Sequence, residues 1–119
     1  MPTHLRLDQA ERIPRSYGEL YLWSRRELGF VSLQVLTMVL HAGEHTRKHY
    51  HPSEETFVVV SGAVTFVGID GSFEVRPHEV VLVPPNEVHA LHNHSSGPCE
   101  LVLALSPPRS AARVVYCDD

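Results

Sequence analysis

Histidines are the residues of this sequence whose type and spacing could do chemistry. The chain has 119 residues, and nine of them are His. Eight fall in two short stretches: His41, His45, His49 and His51 in the first, and His78, His89, His92 and His94 in the second. Imidazole is the commonest metal ligand in proteins and titrates near neutral pH. The two stretches therefore predict a metal site or an acid–base centre.

The first stretch combines a His pair with nearby carboxylates. If residues 49–51 are extended, His49 and His51 point to one face and Tyr50 to the other. Glu55 follows four residues later, after a Pro-Ser corner that can turn its carboxylate back towards the same point. Glu54 is an adjacent alternative that this reasoning leaves open.

The second stretch supplies the fourth donor. His89 begins a short predicted strand after the Pro84-Pro85-Asn86 turn. Three His and one carboxylate form a mixed set that Zn, Fe(II), Mn, Ni or Cu would accept, with positions left open for water or substrate. We therefore predict one divalent metal ion per chain in a catalytic rather than a structural site.

Other side chains are candidates for proton transfer or for the walls of a ligand cavity. His45 could act as a base at the cavity mouth, with a solvated loop as the alternative role. His92 has the opposite strand parity from His89 and is expected to face outward. The remaining histidines of the two stretches are expected at the surface: His41, His78 and His94. The cavity-lining candidates are Gln34, Phe57, Phe66, Tyr21 and Trp23.

Strands must position these residues, because helical periodicity is nearly absent and short apolar or alternating runs are separated by Gly, Pro and Asn. About eight strands in so short a chain predict an all-β barrel or sandwich with room for one ligand. Asp70-Gly71 predicts a tight type I′ hairpin turn. The predicted strands are Leu20–Trp23, Val31–His41, Thr56–Val60, Val64–Val67, Ser72–Val75, Val80–Val83, Val88–His92 and Glu100–Leu105, with Arg113–Cys117 as a possible terminal strand.

Composition limits the class of protein and its partners. The length is that of one domain. The net charge is −4 without a basic stripe, which argues against nucleic acid and anionic membrane surfaces as partners. No secretory signal or bilayer-spanning apolar run is found. Two Cys form no disulfide framework, and we expect a cytoplasmic protein that binds a small molecule.

The spacing of the donor residues resembles the cupin family. Its first motif places Gly, His-x-His, Glu and Gly at the intervals of Gly43, His49-Tyr50-His51, Glu55 and Gly62. This spacing favours Glu55 over Glu54. In the second motif Pro84, His89 and Asn93 match, whereas His78 and Asn86 stand where the family has Gly. Asn tolerates a left-handed backbone nearly as well as Gly, so we expect the Asn86 turn to be kept.

The resemblance implies a single-domain cupin jelly-roll barrel over residues 31–106. Residues 1–30 would be an N-terminal extension with short strands, and residues 107–119 a C-terminal tail. It also implies a homodimer, which would cover open sheet edges. The metal ligands implied by the family motifs are His49, His51, Glu55 and His89.

A shorter resemblance concerns function. The run His-Tyr-His-Pro with Glu54-Glu55-Thr56-Phe57, and the Leu105-Ser106-Pro107 end of the barrel, are similar to cupins associated with aromatic polyketide cyclisation. That likeness implies an ion that holds a substrate oxygen and stabilises an enolate, while Glu55 or His45 moves the proton. The alternatives are an Fe(II)- or Cu-dependent dioxygenase, a non-catalytic ligand-binding cupin, and a sugar isomerase or epimerase.

Overall fold

Strands make up almost all of the regular structure of this chain. The computed structural model describes residues 2–109 and 113–117, and no α-helix occurs within these ranges. Two short 3-10 helices lie at Leu7–Gln9 and Arg26–Leu28. The strands are β1 (Glu11–Arg15), β2 (Gly18–Leu22), β3 (Gln34–Leu40), β4 (His49–Tyr50), β5 (Glu54–Ser61), β6 (Val64–Val67), β7 (Ser72–Val75), β8 (Val80–Val83), β9 (Ala90–His92), β10 (Cys99–Ser106) and β11 (Val115–Tyr116).

The strands form three antiparallel sheets. The largest has the order β1-β2-β3-β10-β5-β8, and two smaller sheets have the orders β7-β6-β9 and β11-β4. Sequence neighbours are separated in the large sheet, where β10 lies between β3 and β5. This connectivity is that of a jelly roll, and it confirms the predicted all-β fold.

Period-two alternation puts one face of the large sheet into the core. In β10, Leu101, Leu103 and Leu105 are buried, whereas the residues between them are half-buried. Leu105 lies opposite Glu55 of β5, and opposed residues share a face. Glu55 therefore points inward while Glu54 is exposed, which selects Glu55 from the two adjacent carboxylates.

Both ends of the chain join the sheets. Strand β2 pairs with β3, and β1 is an edge strand that pairs with β2. The sequence pattern misses β1 because Pro14 interrupts it, although an edge strand tolerates Pro. Strand β11 pairs with β4, with Tyr116 opposite His49. The N-terminal extension and the C-terminal tail therefore both border the region that holds the predicted metal ligands.

The β6–β7 hairpin corrects the predicted turn. Its loop has four residues, Gly68 to Gly71, because Val67 pairs directly with Ser72. A type I′ turn needs positive φ at both central residues. Only Gly71 has positive φ in this loop, and Asp70 does not.

Two left-handed residues mark the corners where the second motif departs from Gly. His78 has φ 71° and Asn86 has φ 65°, so both corners keep the backbone that Gly would allow.

No helix of the described residues is long and apolar enough to cross a bilayer.

Candidate metal centre

Three histidines converge inside the barrel. His49 lies in β4, His51 follows that strand, and His89 directly precedes β9. All three are buried, and their ligand atoms lie within 4.8 Å of one another. The structure thus brings together two segments almost forty residues apart, as the sequence predicts.

Backbone carbonyls fix the orientation of each ring. Nδ1 of His49 lies 2.7 Å from the Arg47 carbonyl oxygen, and Nδ1 of His89 lies 2.7 Å from that of Glu87. Nδ1 of His51 lies 3.1 Å from the carbonyl oxygen of Ser53. In each pair Nδ1–H donates to the carbonyl, which leaves Nε2 as the ring atom that faces the centre of the cluster.

Glu55 completes the donor set on the side of His51 and His89. Its Oε1 lies 3.0 Å from Nε2 of His51 and 3.7 Å from Nε2 of His89. Ligands about 2.1 Å from one ion at right or tetrahedral angles stand about 3.0–3.5 Å apart. Burial alone would raise the pKa of the Glu55 carboxyl, but hydrogen bonds with His51 and His89 lower it to about 2. Glu55 is therefore a permanent carboxylate at neutral pH.

His49 tests whether the residues fit a metal ion. Its Nε2 is buried and has no hydrogen-bond partner within the described residues. Burial lowers the pKa of His49 to about 4, with contributions from the charges of His89 and Arg109. A neutral imidazole with a buried, unpartnered lone pair is costly unless an ion occupies that position. The donor set fits a divalent cation.

A cavity of about 560 Å³ opens from the cluster. One wall is apolar and comes from β2, β3 and β10, with further side chains from the segments around the metal cluster. The apolar side chains of the lining are Ile13, Leu20, Leu22, Leu36, Met38, Leu91, Leu103 and Val114. This volume and composition are typical of sites for small organic ligands.

The predicted cavity residues divide into two groups. Gln34 lines the cavity, and so does His45, the candidate base. Tyr21 and Trp23 do not, because they lie on the outer face of the large sheet. Tyr21 stands opposite Thr37, and Nε1 of Trp23 donates to Oγ1 of Thr37 at 2.9 Å.

The two predicted phenylalanines lie in the core rather than in the cavity wall. Phe57 and Phe66 are buried and pack on each other, with ring centroids 6.4 Å apart. The Phe66 ring also stacks on His89, with centroids 5.9 Å apart and planes 6° from parallel. Phe66 therefore supports a metal ligand from behind instead of facing a substrate.

The remaining histidines stay outside the cluster. His45 is exposed, and its ring stacks on that of His92 at 4.8 Å. His92 is half-buried on the opposite face from His89, and burial lowers its pKa. His41, His78 and His94 are exposed, as predicted.

The polar cavity residues that escaped the sequence reasoning include Arg15, Tyr17, Arg47 and Arg109. Arg15 and Tyr17 belong to the N-terminal extension, and Arg109 belongs to the C-terminal tail. Nothing in the local sequence of Arg15 or Tyr17 indicates a site, because the pairing of β2 with β3 brings this segment to the cavity. Arg109 lies three residues after β10, and Arg47 lies between His45 and His49.

Comparisons with known proteins agree with this geometry. A family model described as the Cupin domain matches residues 36–105. The polyketide cyclase RemF from Streptomyces resistomycificus is similar in structure, with TM-score 0.83 and 17% identity over 100% of this chain and 89% of that chain. A sugar phosphate isomerase from Silicibacter pomeroyi has TM-score 0.79 and 20% identity over 98% of this chain and 83% of its own.

A third similar structure is larger. A variant of the Bacillus subtilis oxalate decarboxylase OxdC has TM-score 0.78 and 18% identity, and the match covers 93% of this chain and 31% of that one. Identities this low establish a shared fold alone. No curated protein matches the chain significantly in sequence.

Proposed function

This chain belongs to the cupin family, and from that premise we propose that it is a metal-dependent enzyme acting on a carbonyl or enol group of a small organic substrate. The observation that carries the proposal is the unpartnered, buried Nε2 of His49, which lies within the three-histidine cluster beside a ligand-sized cavity. The proposed ligands are His49, His51, Glu55 and His89.

A divalent ion bound by these residues would supply Lewis-acid chemistry towards a substrate oxygen. The chain's own residues would supply position and proton transfer. The apolar wall of Leu36, Met38 and Leu103 would hold the carbon skeleton and exclude water.

His45 is the better of the two candidate bases. Glu55 is held by His51 and His89, and a carboxylate with a pKa of about 2 is a weak proton acceptor. His45 lies in the cavity wall, where Nδ1 contacts the backbone oxygen of Thr46 at 3.0 Å. Because a carbonyl oxygen can only accept, Nδ1 of His45 carries the hydrogen and Nε2 is the proton-accepting atom. We assign proton transfer to Nε2.

Within this class we favour a cyclase or isomerase of the kind suggested by the likeness to RemF. A sugar isomerase is the second candidate, since the chain is similar over almost its whole length to a sugar phosphate isomerase. A dioxygenase and a non-catalytic ligand-binding protein are the remaining readings of the same donor set.

Metal and oxygen measurements on one preparation separate these readings. The protein is purified without a metal-affinity tag, and its metal content is measured together with oxygen uptake and turnover of aryl-substituted 1,3-diketones and sugar phosphates. Bound metal with turnover and no oxygen uptake supports the proposal. Substrate-dependent oxygen uptake would instead identify a dioxygenase.

The His51→Ala variant tests the role of the metal site directly. We expect it to lose metal and turnover together, while Tyr50→Ala, which changes the neighbouring residue on the other face, keeps both. Full turnover by a metal-free His51→Ala protein would overturn the proposed mechanism.

We also propose that the protein is a homodimer that works in the cytoplasm. Support for the dimer comes from β8, an edge strand with Val80 and Leu82 exposed at 58% and 75%. Val80 stands beside Val58, which extends the apolar surface onto β5. Two free cysteines suit a reducing compartment.

Sedimentation tests the dimer. We expect about twice the chain mass of 13.3 kDa at micromolar concentration, and a shift to monomer for Leu82→Glu. Ile69→Glu, a matched change in the exposed β6–β7 loop, should leave the dimer intact. A wild-type protein that sediments as a monomer would contradict the proposal.

A further inference from the structure

Three guanidinium groups line the cavity that holds the metal cluster. Arg15 comes from β1, Arg47 precedes β4, and Arg109 follows β10. Two of them, Arg15 and Arg109, lie outside the segment that matches the cupin family model. They are a feature of this chain's own extension and tail rather than of the family motifs.

No carboxylate of the cavity forms an ion pair with Arg15 or Arg109 among the described residues. Within residues 2–109 and 113–117, ion pairs engage Arg6, Arg12, Arg25 and Arg76, and none involves Arg15 or Arg109. Arg15 donates from Nη1 to the neighbouring backbone oxygen of Pro14 at 3.1 Å. Arg47 stacks on Tyr116, with 4.0 Å from Cζ to the ring centroid.

The acidic residues of the cavity lining are Glu11 and Glu55. Glu55 contacts His51 and His89, and within the described residues it forms no ion pair with Arg15 or Arg109. The chain as a whole carries a net charge of −4. A cavity lined by positive charges focuses the electrostatic field and attracts anions, even in a protein whose net charge is negative.

Arg109 lies close to the metal cluster. Its charge contributes to the pKa values of His49, Glu55 and His89, although burial is the largest cause in each case. Its backbone N–H donates to Oε1 of Gln34 at 3.2 Å, which ties the start of the tail to the cavity wall.

Tyr17 adds a neutral donor beside the arginines. Burial raises the pKa of its hydroxyl, and the charges of Arg109 and Arg15 oppose that effect. Its hydroxyl therefore lies within electrostatic reach of both guanidinium groups and stays protonated at neutral pH. A phenol O–H with two guanidinium groups is a donor set suited to oxyanions.

We propose that the cavity binds an anionic substrate, whose carboxylate or phosphate group is held by Arg109 and Arg15 with Tyr17 as hydrogen-bond donor. The inference rests on the proposed function, because it takes this cavity as the substrate site. The remainder of the substrate would then extend along the apolar wall towards His49. Guanidinium groups bind carboxylates and phosphates in a bidentate manner, and an experiment must distinguish these two anionic groups.

Calorimetry with three probes tests the proposal: malonate as a carboxylate, inorganic phosphate, and malonamide as the neutral analogue of malonate. Wild-type protein should bind at least one anion and should not bind malonamide. Arg109→Gln should weaken that binding at least tenfold. Arg12→Gln removes the same charge from the same strand as Arg15, outside the cavity, and should change Kd less than twofold.

Each titration is repeated on metal-free protein, because malonate also chelates metals. A persistent effect of Arg109→Gln supports an arginine subsite, and a preference between malonate and phosphate identifies the substrate's anionic group. Equal binding by wild type and Arg109→Gln, or no anion binding by wild type, overturns the inference.

The metal content is measured on the same samples, so that a failure of the anion-binding inference can be distinguished from a failure of the proposed metal-dependent function. Arg109→Gln should retain the wild-type metal content. A wild-type protein without metal that still binds phosphate through Arg109 would contradict the metal enzyme and support the anion site.

Discussion

The backbones of His49 and His89 are joined by a reciprocal pair of hydrogen bonds. The His49 N–H donates to the His89 carbonyl at 3.0 Å, and the His89 N–H donates to the His49 carbonyl at 2.9 Å. This bridge brackets the metal cluster and fastens the two histidine-rich segments to each other. The histidine cluster is therefore positioned by backbone hydrogen bonds that do not depend on its side chains.

We expect His89→Ala to lose bound metal while keeping the fold. The backbone bridge survives the substitution, whereas one of three nitrogen donors is removed. Metal content per chain should fall from near one to near zero, and metal-free protein should still unfold cooperatively in urea. His92→Ala, on the other face of β9, is the matched control and should keep its metal. Equal metal loss in both variants would contradict this assignment of ligands.

Acid should destabilise the metal-free protein through His49. Its pKa is 6.5 as a free side chain and about 4 in the fold, so the unfolded chain binds more protons between these values. Stability then falls as pH drops from 6.5 to 4, by up to about 3 kcal/mol. Urea unfolding in the presence of a chelator at pH 7, 6 and 5 measures this slope.

Two neighbours set the window for that measurement. The pKa of Glu55 is about 2, so its stabilisation is lost only below pH 4.5. Burial lowers the pKa of His89, but the hydrogen bond and the charge of Glu55, together with the backbone hydrogen bond to Glu87, outweigh burial and raise it. The stabilisation from His89 is therefore present below pH 6.5 and is lost above that value. His49→Gln should flatten the acid slope, whereas His94→Gln, at an exposed position, should not. If His49→Gln left the pH dependence of the stability unchanged, the assignment of that dependence to His49 would be wrong.

Local patterns were sufficient for most strands and for the three histidines that cluster in the structure. Strands β6, β7 and β8 match their predicted bounds residue for residue, because each is a short apolar or alternating run between turn residues. Strand parity placed His49 with His51, and the burial of Glu55 beside exposed Glu54 follows the same rule.

Tertiary pairing decided what local patterns could not. Tyr21 belongs to β2 and Trp23 follows it. The inward face of β2 is set by its register with β3, and that register cannot be read from residues 20–23 alone. Arg15 comes from the N-terminal extension, which reaches the site only after β2 has paired with β3. The alternation of side chains within one strand predicts neither the register between strands nor which distant segments reach the cavity.

The two cysteines should differ in reactivity. Cys99 is fully buried in β10, and burial raises the pKa of its thiol to about 11, whereas Cys117 is exposed. Because the thiolate is the reactive form, iodoacetamide at pH 8 should modify one thiol of the native protein and two after denaturation. Mass spectrometry of Cys117→Ser should show no rapid native modification. Fast native labelling of Cys99 would show that β10 opens readily.

His78→Gly should stabilise the protein. His78 is exposed and held at φ 71°, where a side chain with a Cβ is strained by about 1–2 kcal/mol and Gly is not. The greater freedom of Gly in the unfolded chain offsets part of this gain, so we expect the free energy of unfolding to rise by about 1 kcal/mol.

The backbone N–H of His78 donates to the Val59 carbonyl at 2.9 Å. Every substitution except Pro keeps this hydrogen bond. His78→Ala is therefore the control: it removes the imidazole but retains the Cβ and the strain, and it should leave stability unchanged. Urea unfolding of both variants measures the difference. Equal gains for Ala and Gly would assign the effect to loss of the imidazole instead of relief of the left-handed backbone.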